Sequence, residues 1–198
     1  HASIIDGCRL SGAAFRIYPH KNVSQLESLL QRSSMYRRKL VVTDSVFSMD
    51  GDTAPLSEIA SIAKRYDAIL MVDDAHATGV FGKQGKGMIE HCGLEGKIDI
   101  VMGSLSKAVG SIGGFIAGSK PLIDFLKNKA RPFIYTTALP PAVCAASMAG
   151  LTLIQEDVSL IDTLWKNIAF LKSRLSTFMD TIAGESPIVP LIVGSAED

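Results

Sequence analysis

Apolar residues recur along this chain with two spacings, and the alternation between them predicts an α/β architecture. Short apolar runs at 40–43, 68–72 and 98–102 have the length of strands buried on both faces. Between the first two, residues 55–66 carry Leu56, Ile59, Ile62 and Ala63 on one helical face, with Pro55 and Glu58 at the start and Lys64-Arg65 near the end. Strand, helix, strand is a βαβ unit, and its right-handed crossover predicts a parallel sheet. Upstream, residues 4–10 are amphipathic and 13–18 alternate as a strand. Asn22 caps a helix over 23–30, whose apolar positions are Val23, Leu26, Leu29 and Leu30. Downstream, 113–118 reads as a strand whose glycines permit close approach, 121–129 as a helix, and 133–139 as an extended segment ending at Pro140-Pro141. From 140 to about 179 the pattern is helical with a break near Glu156-Asp157. Leu164, Ile168, Leu171 and Leu175 share one face there, as core packing requires. Residues 189–194 read as a strand cut off just after it begins, and no internal repeat interrupts the series.

Composition narrows the class. With 198 residues, 47% of them hydrophobic, the chain is long enough for one domain with a real core and the start of a second. Lysine plus arginine and aspartate plus glutamate number 20 each, and no basic run exceeds Arg37-Arg38-Lys39, so neither nucleic acid nor an anionic membrane is an expected partner. Cys8, Cys92 and Cys144 are widely spaced and odd in number, which fits free thiols in a reducing cytoplasm. No metal site is expected, because the cysteines are not paired as ligands and Asp50-Gly51-Asp52 lacks the ligand spacing and closing glutamate of a calcium loop. No apolar segment has the length of a membrane span and no leader precedes the first helix, so a cytoplasmic location is expected. A first residue His1 in place of Met, and the cut strand at the other end, read as an internal fragment truncated at both ends.

The chemistry gathers where the apolar runs end. The run at 98–102 leads through Gly103, Ser104 and Ser106 to Lys107, followed by Gly110, Gly113 and Gly114. A lysine held partly desolvated at such an edge has a lowered amine pKa and can form a Schiff base with an aldehyde; the alternative is a solvated surface lysine. The run at 68–72 ends in Asp73, Asp74 and His76. Ligands of open α/β sheets bind at the carboxyl edge of the strands, and the 34 positions separating Asp73 from Lys107 allow a crossover and a further strand, so both can face one crevice. An acid, an imidazole and a lysine there suit pyridoxal phosphate: the lysine carries the aldehyde, the carboxylate keeps the pyridine nitrogen protonated, and the ring is an electron sink. Gly82, Gly85 and Gly87 spell G-x-x-G-x-G, the reverse of a dinucleotide fingerprint, which excludes a nicotinamide site of that type. A hydrolase built on Ser48, His76 and Asp73 is disfavoured because no G-x-S-x-G elbow surrounds Ser48.

Three stretches, Thr43-Asp-Ser-Val-Phe-Ser-Met-Asp-Gly-Asp-Thr-Ala-Pro-Leu56, Met71-Val-Asp-Asp-Ala-His-Ala-Thr-Gly79 and Ser104-Leu-Ser-Lys-Ala108, together resemble the α-oxoamine synthases, fold-type I pyridoxal phosphate enzymes. The resemblance runs over essentially all 198 residues. It implies the large domain of a fold-type I PLP-dependent transferase, with a mostly parallel sheet flanked by helices: residues 1–139 as part of the cofactor-binding domain, 140–183 as a helical interdomain connection, 184–198 as the start of a small C-terminal domain. It implies decarboxylative condensation of an amino acid with an acyl-coenzyme A. Lys107 would hold the cofactor and act as base, Asp73 would face the pyridine nitrogen, and His76 and Ser48 would face its phenolic oxygen. His1 would stack on the ring and Ser104 would bind phosphate. Thr136 and Thr137 would reach the phosphate of a neighbouring subunit, making a homodimer with shared active sites. From residue types alone, His1 reads equally as a chain end, Ser48 as part of an Asp/Gly turn and the threonines as a helix cap. The family's carboxyl-terminal arginine and amino-terminal loop fall outside these residues, so little turnover is expected of the 198 residues alone, which would then act only as a scaffold or assembly module.

Overall fold

In the computed structural model, residues 1–177, 184–191 and 194 are described. Four strands form one sheet in the order β1-β2-β3-β4: β1 Leu40–Asp44, β2 Ile69–Asp73, β3 Ile100–Ser104 and β4 Gly114–Gly118. The first three are parallel, with Asp44 opposite Asp73 and Asp73 opposite Met102. Their carboxyl ends therefore lie together, as the βαβ pattern predicts.

The fourth strand runs antiparallel to β3, pairing Ser104 with Gly114 and Ile100 with Gly118. A nine-residue loop between them is too short for a crossover, so the chain must return beside itself. The loop is closed by Leu105 N–H on Gly113 O, Ser111 N–H on Leu105 O and Gly110 N–H on Lys107 O, at 2.8–3.0 Å.

Eight helices are described: α1 Ala2–Leu10, α2 Val23–Gln31, α3 Leu56–Arg65, α4 Met88–His91, α5 Lys120–Lys129, α6 Arg131–Ile134, α7 Pro141–Glu156 and α8 Ser159–Leu175. Asn22 caps α2, its Oδ1 accepting from Gln25 N–H at 2.9 Å. The apolar face predicted for α3 is buried, with Leu56, Ile59, Ile62 and Ala63 each nearly inaccessible against Leu70 and Val72 of β2. Burying the leucine and the two isoleucines stabilises the unit by roughly 1.5–3 kcal/mol each.

Two expectations need correction. Residues 13–18 form no regular element and join no ladder; only Tyr18 packs partly on the core, and without a partner strand alternation cannot make a sheet. The segment 133–139 is not extended throughout, because Pro132 at an early position starts the short helix α6, which takes Phe133 and Ile134. The break at Glu156-Asp157 is where α7 ends, and Asp157 then accepts from Ser159 N–H at 3.0 Å as α8 begins. Of the strand expected at 189–194, residues 189–191 show none, and 192 and 193 lie outside the described residues. Among the described residues no helix is long and apolar enough to cross a membrane.

Candidate active site

Asp73 closes β2 and is buried, with Oδ1 accepting from Ala75 N–H at 3.0 Å. Burial raises its carboxyl above the usual range. The Ala75 bond opposes that, Asp44 beside it raises it further and the Lys107 ammonium pulls it down. His76 follows on the same turn and is half-buried. Burial lowers its imidazole below the ordinary value, Lys107 lowers it further, and Asp73 and Asp44 oppose. A carboxylate, an imidazole and an amine thus share one electrostatic neighbourhood at the carboxyl edge of the sheet.

Lys107 itself is exposed, where partial desolvation was expected. It sits on the β3–β4 loop, at the rim of the sheet where the parallel strands end. Helix α7 holds the loop from behind. Ser147 Oγ donates to Ser111 Oγ at 2.8 Å, and a Cβ on Gly150 would lie 2.5 Å from Val109 O, so only glycine permits this approach.

Ser104, the last residue of β3, has its Oγ 2.7 Å from Ser106 Oγ and accepts from Ser106 N–H at 3.1 Å. Two hydroxyls therefore gather beside the lysine. Ser48 is exposed on a turn closed by Gly51 N–H on Phe47 O at 2.8 Å. That turn is braced by residues far away in the chain: Ser186 Oγ, buried, donates to Gly51 O at 2.7 Å, and Lys172 of α8 binds Gly184 O and Ser186 O. Sequence reading missed this brace, because nothing in the local pattern ties 184–188 to 48–53.

His1 caps α1, with Nδ1 2.7 Å from Ser3 Oγ, and its amino group lies 2.9 Å from Asp44 Oδ2. With Asp44, Phe47, Ser48 and Asp50 it lines a cleft of about 430 Å³. Since Asp44 pairs with Asp73 in register, His1 and Ser48 stand on the β1 side of the edge that Asp73 and His76 occupy. Thr136 and Thr137 are exposed on the irregular stretch after α6. Two residues beyond Thr137, Leu139 comes within 3.3 Å of where a Cβ on Gly113 would be, so this stretch passes the Lys107 loop.

The residues fit pyridoxal phosphate. Among the described residues Asp73 Oδ2 has no hydrogen-bond partner and is free to hold a protonated ring nitrogen, while Ser104 and Ser106 supply neutral donors beside an amine. A separate cluster, exposed His20 and Asp50 with half-buried Asp52, brings its ligand atoms within 4.8 Å of one another, but Asp52 already pairs with Lys21 at 2.9 Å and His20 at 3.0 Å.

A family model described as aminotransferase class I and II matches residues 1–198. The chain is 49% identical over 195 residues to 8-amino-7-oxononanoate synthase 1 of Bacillus subtilis (strain 168), covering 98% of this chain and 50% of that protein. Its fold matches a serine palmitoyltransferase from S. paucimobilis, solved with bound PLP and myriocin, with a TM-score of 0.94 and 36% identity, covering 100% of this chain and 52% of that one. An 8-amino-7-oxononanoate synthase structure from Francisella tularensis matches with a TM-score of 0.74 and 34% identity over 89% of this chain and 51% of that one. The chain spans about half the length of the curated relatives it matches.

Proposed function

This chain belongs to the aminotransferase class I and II family, and on that premise we propose that it carries the cofactor site of a PLP-dependent acyltransferase. The reaction is the decarboxylative condensation of an amino acid with an acyl-coenzyme A: a carbon–carbon bond forms between the amino acid's α-carbon and the acyl carbonyl, the carboxylate leaves as carbon dioxide and coenzyme A leaves as the thiol. The relatives named 8-amino-7-oxononanoate synthase support L-alanine and pimeloyl-coenzyme A as substrates, in biotin biosynthesis. Glycine C-acetyltransferase, which the motifs also resemble, often carries glycine just before the lysine, where this chain has Ser106.

One observation carries the reading: the parallel register of β2 and β3 brings Asp73 and His76, at the end of one strand, to the edge from which the Lys107 loop leaves the next, close enough for the lysine's charge to bear on both. Pyridoxal phosphate, when bound, supplies an aldehyde and an electron-withdrawing pyridine ring. Lys107 Nζ provides the amine that holds the aldehyde and the base that takes the α-proton of the substrate. Asp73 Oδ2 holds a proton on the ring nitrogen, and a carboxylate fixed by Ala75 N–H loses no orientation in doing so. His76, whose imidazole burial holds below its ordinary value, and Ser48 address the phenolic oxygen as hydrogen-bonding groups. Ser104 would hold the phosphate, His1 would lie against the ring, and Thr136 and Thr137 would serve the phosphate of a second subunit in a homodimer. Helices α7 and α8 form the connection between the large domain and a small one.

The test is an absorbance titration with pyridoxal phosphate followed by borohydride reduction and peptide mapping. Label on Lys107 is expected; label on another residue, or no uptake of cofactor by the full chain, overturns the reading. Assays of the full chain with alanine or glycine against pimeloyl- or acetyl-coenzyme A then identify the substrate pair.

A further inference from the structure

Asp74 is the deeper of the two buried carboxylates, 1% exposed, and the chemistry above makes no use of it. Its main chain is a junction: its N–H donates to Met102 O on β3 at 2.8 Å, and its C=O accepts from Ala77 N–H and Thr78 N–H at 3.0 and 2.9 Å and from Thr78 Oγ1 at 3.0 Å. Its side chain reaches across to the glycine-rich loop, where Oδ1 and Oδ2 both accept from Met88 N–H, at 3.3 and 3.2 Å. Gly87 makes that contact possible. A Cβ there would stand 1.7 Å from Asp74 Oδ2, and the residue's φ of +97° is itself one that glycine tolerates best. Ser45, fully buried at the end of β1, turns its hydroxyl toward the same carboxylate, yet its Oγ meets no partner within hydrogen-bonding distance. Between its main chain and its side chain, Asp74 therefore ties the ends of β2 and β3 to the start of α4.

We propose that Asp74 is a positioning residue: by clamping Met88 to the sheet edge it fixes the 74–78 turn, and with it the directions in which Asp73 and His76 face Lys107. This rests on the reading of Asp73 and His76 as cofactor-facing groups. The clamp is an anion in a buried place, and its charge bears on its neighbours. Burial first, and Asp73 beside it, push the Asp74 carboxyl up to about 6, while Ser45, Met88 N–H and Thr78 oppose. The other titratable groups near it are Asp73 on β2 and Cys92 after α4, whose thiol is pushed up by its own burial and by the Asp74 charge. Removing the charge while keeping the shape should thus alter Asp73 without emptying the core.

Asp74→Asn in the full chain tests this against the unsubstituted protein. We expect pyridoxal phosphate affinity to fall about 10- to 100-fold, as misdirected site groups require. The pH at which the bound cofactor's absorbance changes should move by about half a unit or more, while the cofactor-free melting temperature stays within a few degrees. In the cofactor-free protein, amide hydrogens of residues 75–78 should exchange about tenfold faster or more. Unchanged cofactor affinity and pH profile, or unchanged exchange at 75–78, overturns the proposal. If the unsubstituted chain takes up no cofactor, the functional reading fails, and the exchange comparison alone still decides whether Asp74 positions the turn.

Discussion

The acids of the site and its lysine rest on different foundations. Asp73 ends a strand flanked by β1 and β3, and the core beneath it runs from Leu26 to Leu94. Lys107 stands on a loop leading to an edge strand, and beyond Leu94 the buried apolar side chains among the described residues are Val109, Ile161 and Ile168. Val109 lies on the lysine's own loop and is pressed by Gly150 of α7. The contrast suits the proposed division of labour: a carboxylate that holds one proton in one direction gains from immobility, whereas an amine that takes up and hands on protons needs reach.

Replacing the amine breaks this comparison most sharply. Lys107→Ala should lower turnover of the full chain by about 10²–10⁴-fold. Because the side chain is exposed, the melting temperature should not move. A large fall in stability would mean that the lysine loop is as deeply anchored as the acid strand, and the contrast would be void.

Core truncations test the foundations directly. Leu70→Ala in β2, where the side chain is 1% exposed, should destabilise the 198-residue chain by about 2–5 kcal/mol. Ile116→Ala in β4, 39% exposed, should cost under about 1 kcal/mol. Urea unfolding of both variants measures the difference, and equal losses would show that the edge hairpin belongs to the same cooperative core.

The same contrast governs what could be read from sequence. The runs ending at Val42 and Val72 and the stripe of α3 were legible because each is a continuous or periodic apolar signature, although in the strands only alternate residues such as Val41, Leu70 and Val72 are fully buried. The direction of β4 was not, since glycine-rich Gly114–Gly118 carries no orientation signal and only the length of the preceding loop decides it. Residues 13–18 alternated without a partner to pair with. At the site, Asp73, His76, Ser104 and Lys107 stand out because each follows an apolar run. Asp74 follows the same run, but its role does not show there, because its burial depends on Gly87, 13 positions away, having no Cβ. The G-x-x-G-x-G spacing, which carries no dinucleotide fingerprint, contains that contact.

Among acids, depth should set the sign of the pH response. Asp74 has a folded pKa raised from 3.8 to about 6, so it favours folding fully below the unfolded value and loses that contribution as pH rises through about 6. The change amounts to about 3 kcal/mol. Asp74→Asn should flatten this part of the stability curve between about pH 4 and 6, measured by urea unfolding across that range. A curve identical to that of the unsubstituted chain would mean that the carboxyl is not held in a buried place.

Asp52 supplies the smallest and opposite effect. Partial burial raises its carboxyl, but hydrogen bonds from Lys21 and His20 and their charges more than offset this, leaving it below the ordinary value. Its contribution is therefore present above the unfolded pKa and lost as pH falls through the folded one. For a pair at the surface the magnitude is about 0.2–1 kcal/mol, so Asp52→Asn should cost that much at pH 7 and progressively less toward pH 3. Salt should shrink the difference at pH 7, because ions screen Lys21 and His20 from Asp52, and should leave the Asp74 effect nearly intact, because ions do not reach a group sealed beneath Gly87 and Met88. Equal salt sensitivity of the two variants would place both carboxylates in the same kind of environment, which their burial forbids.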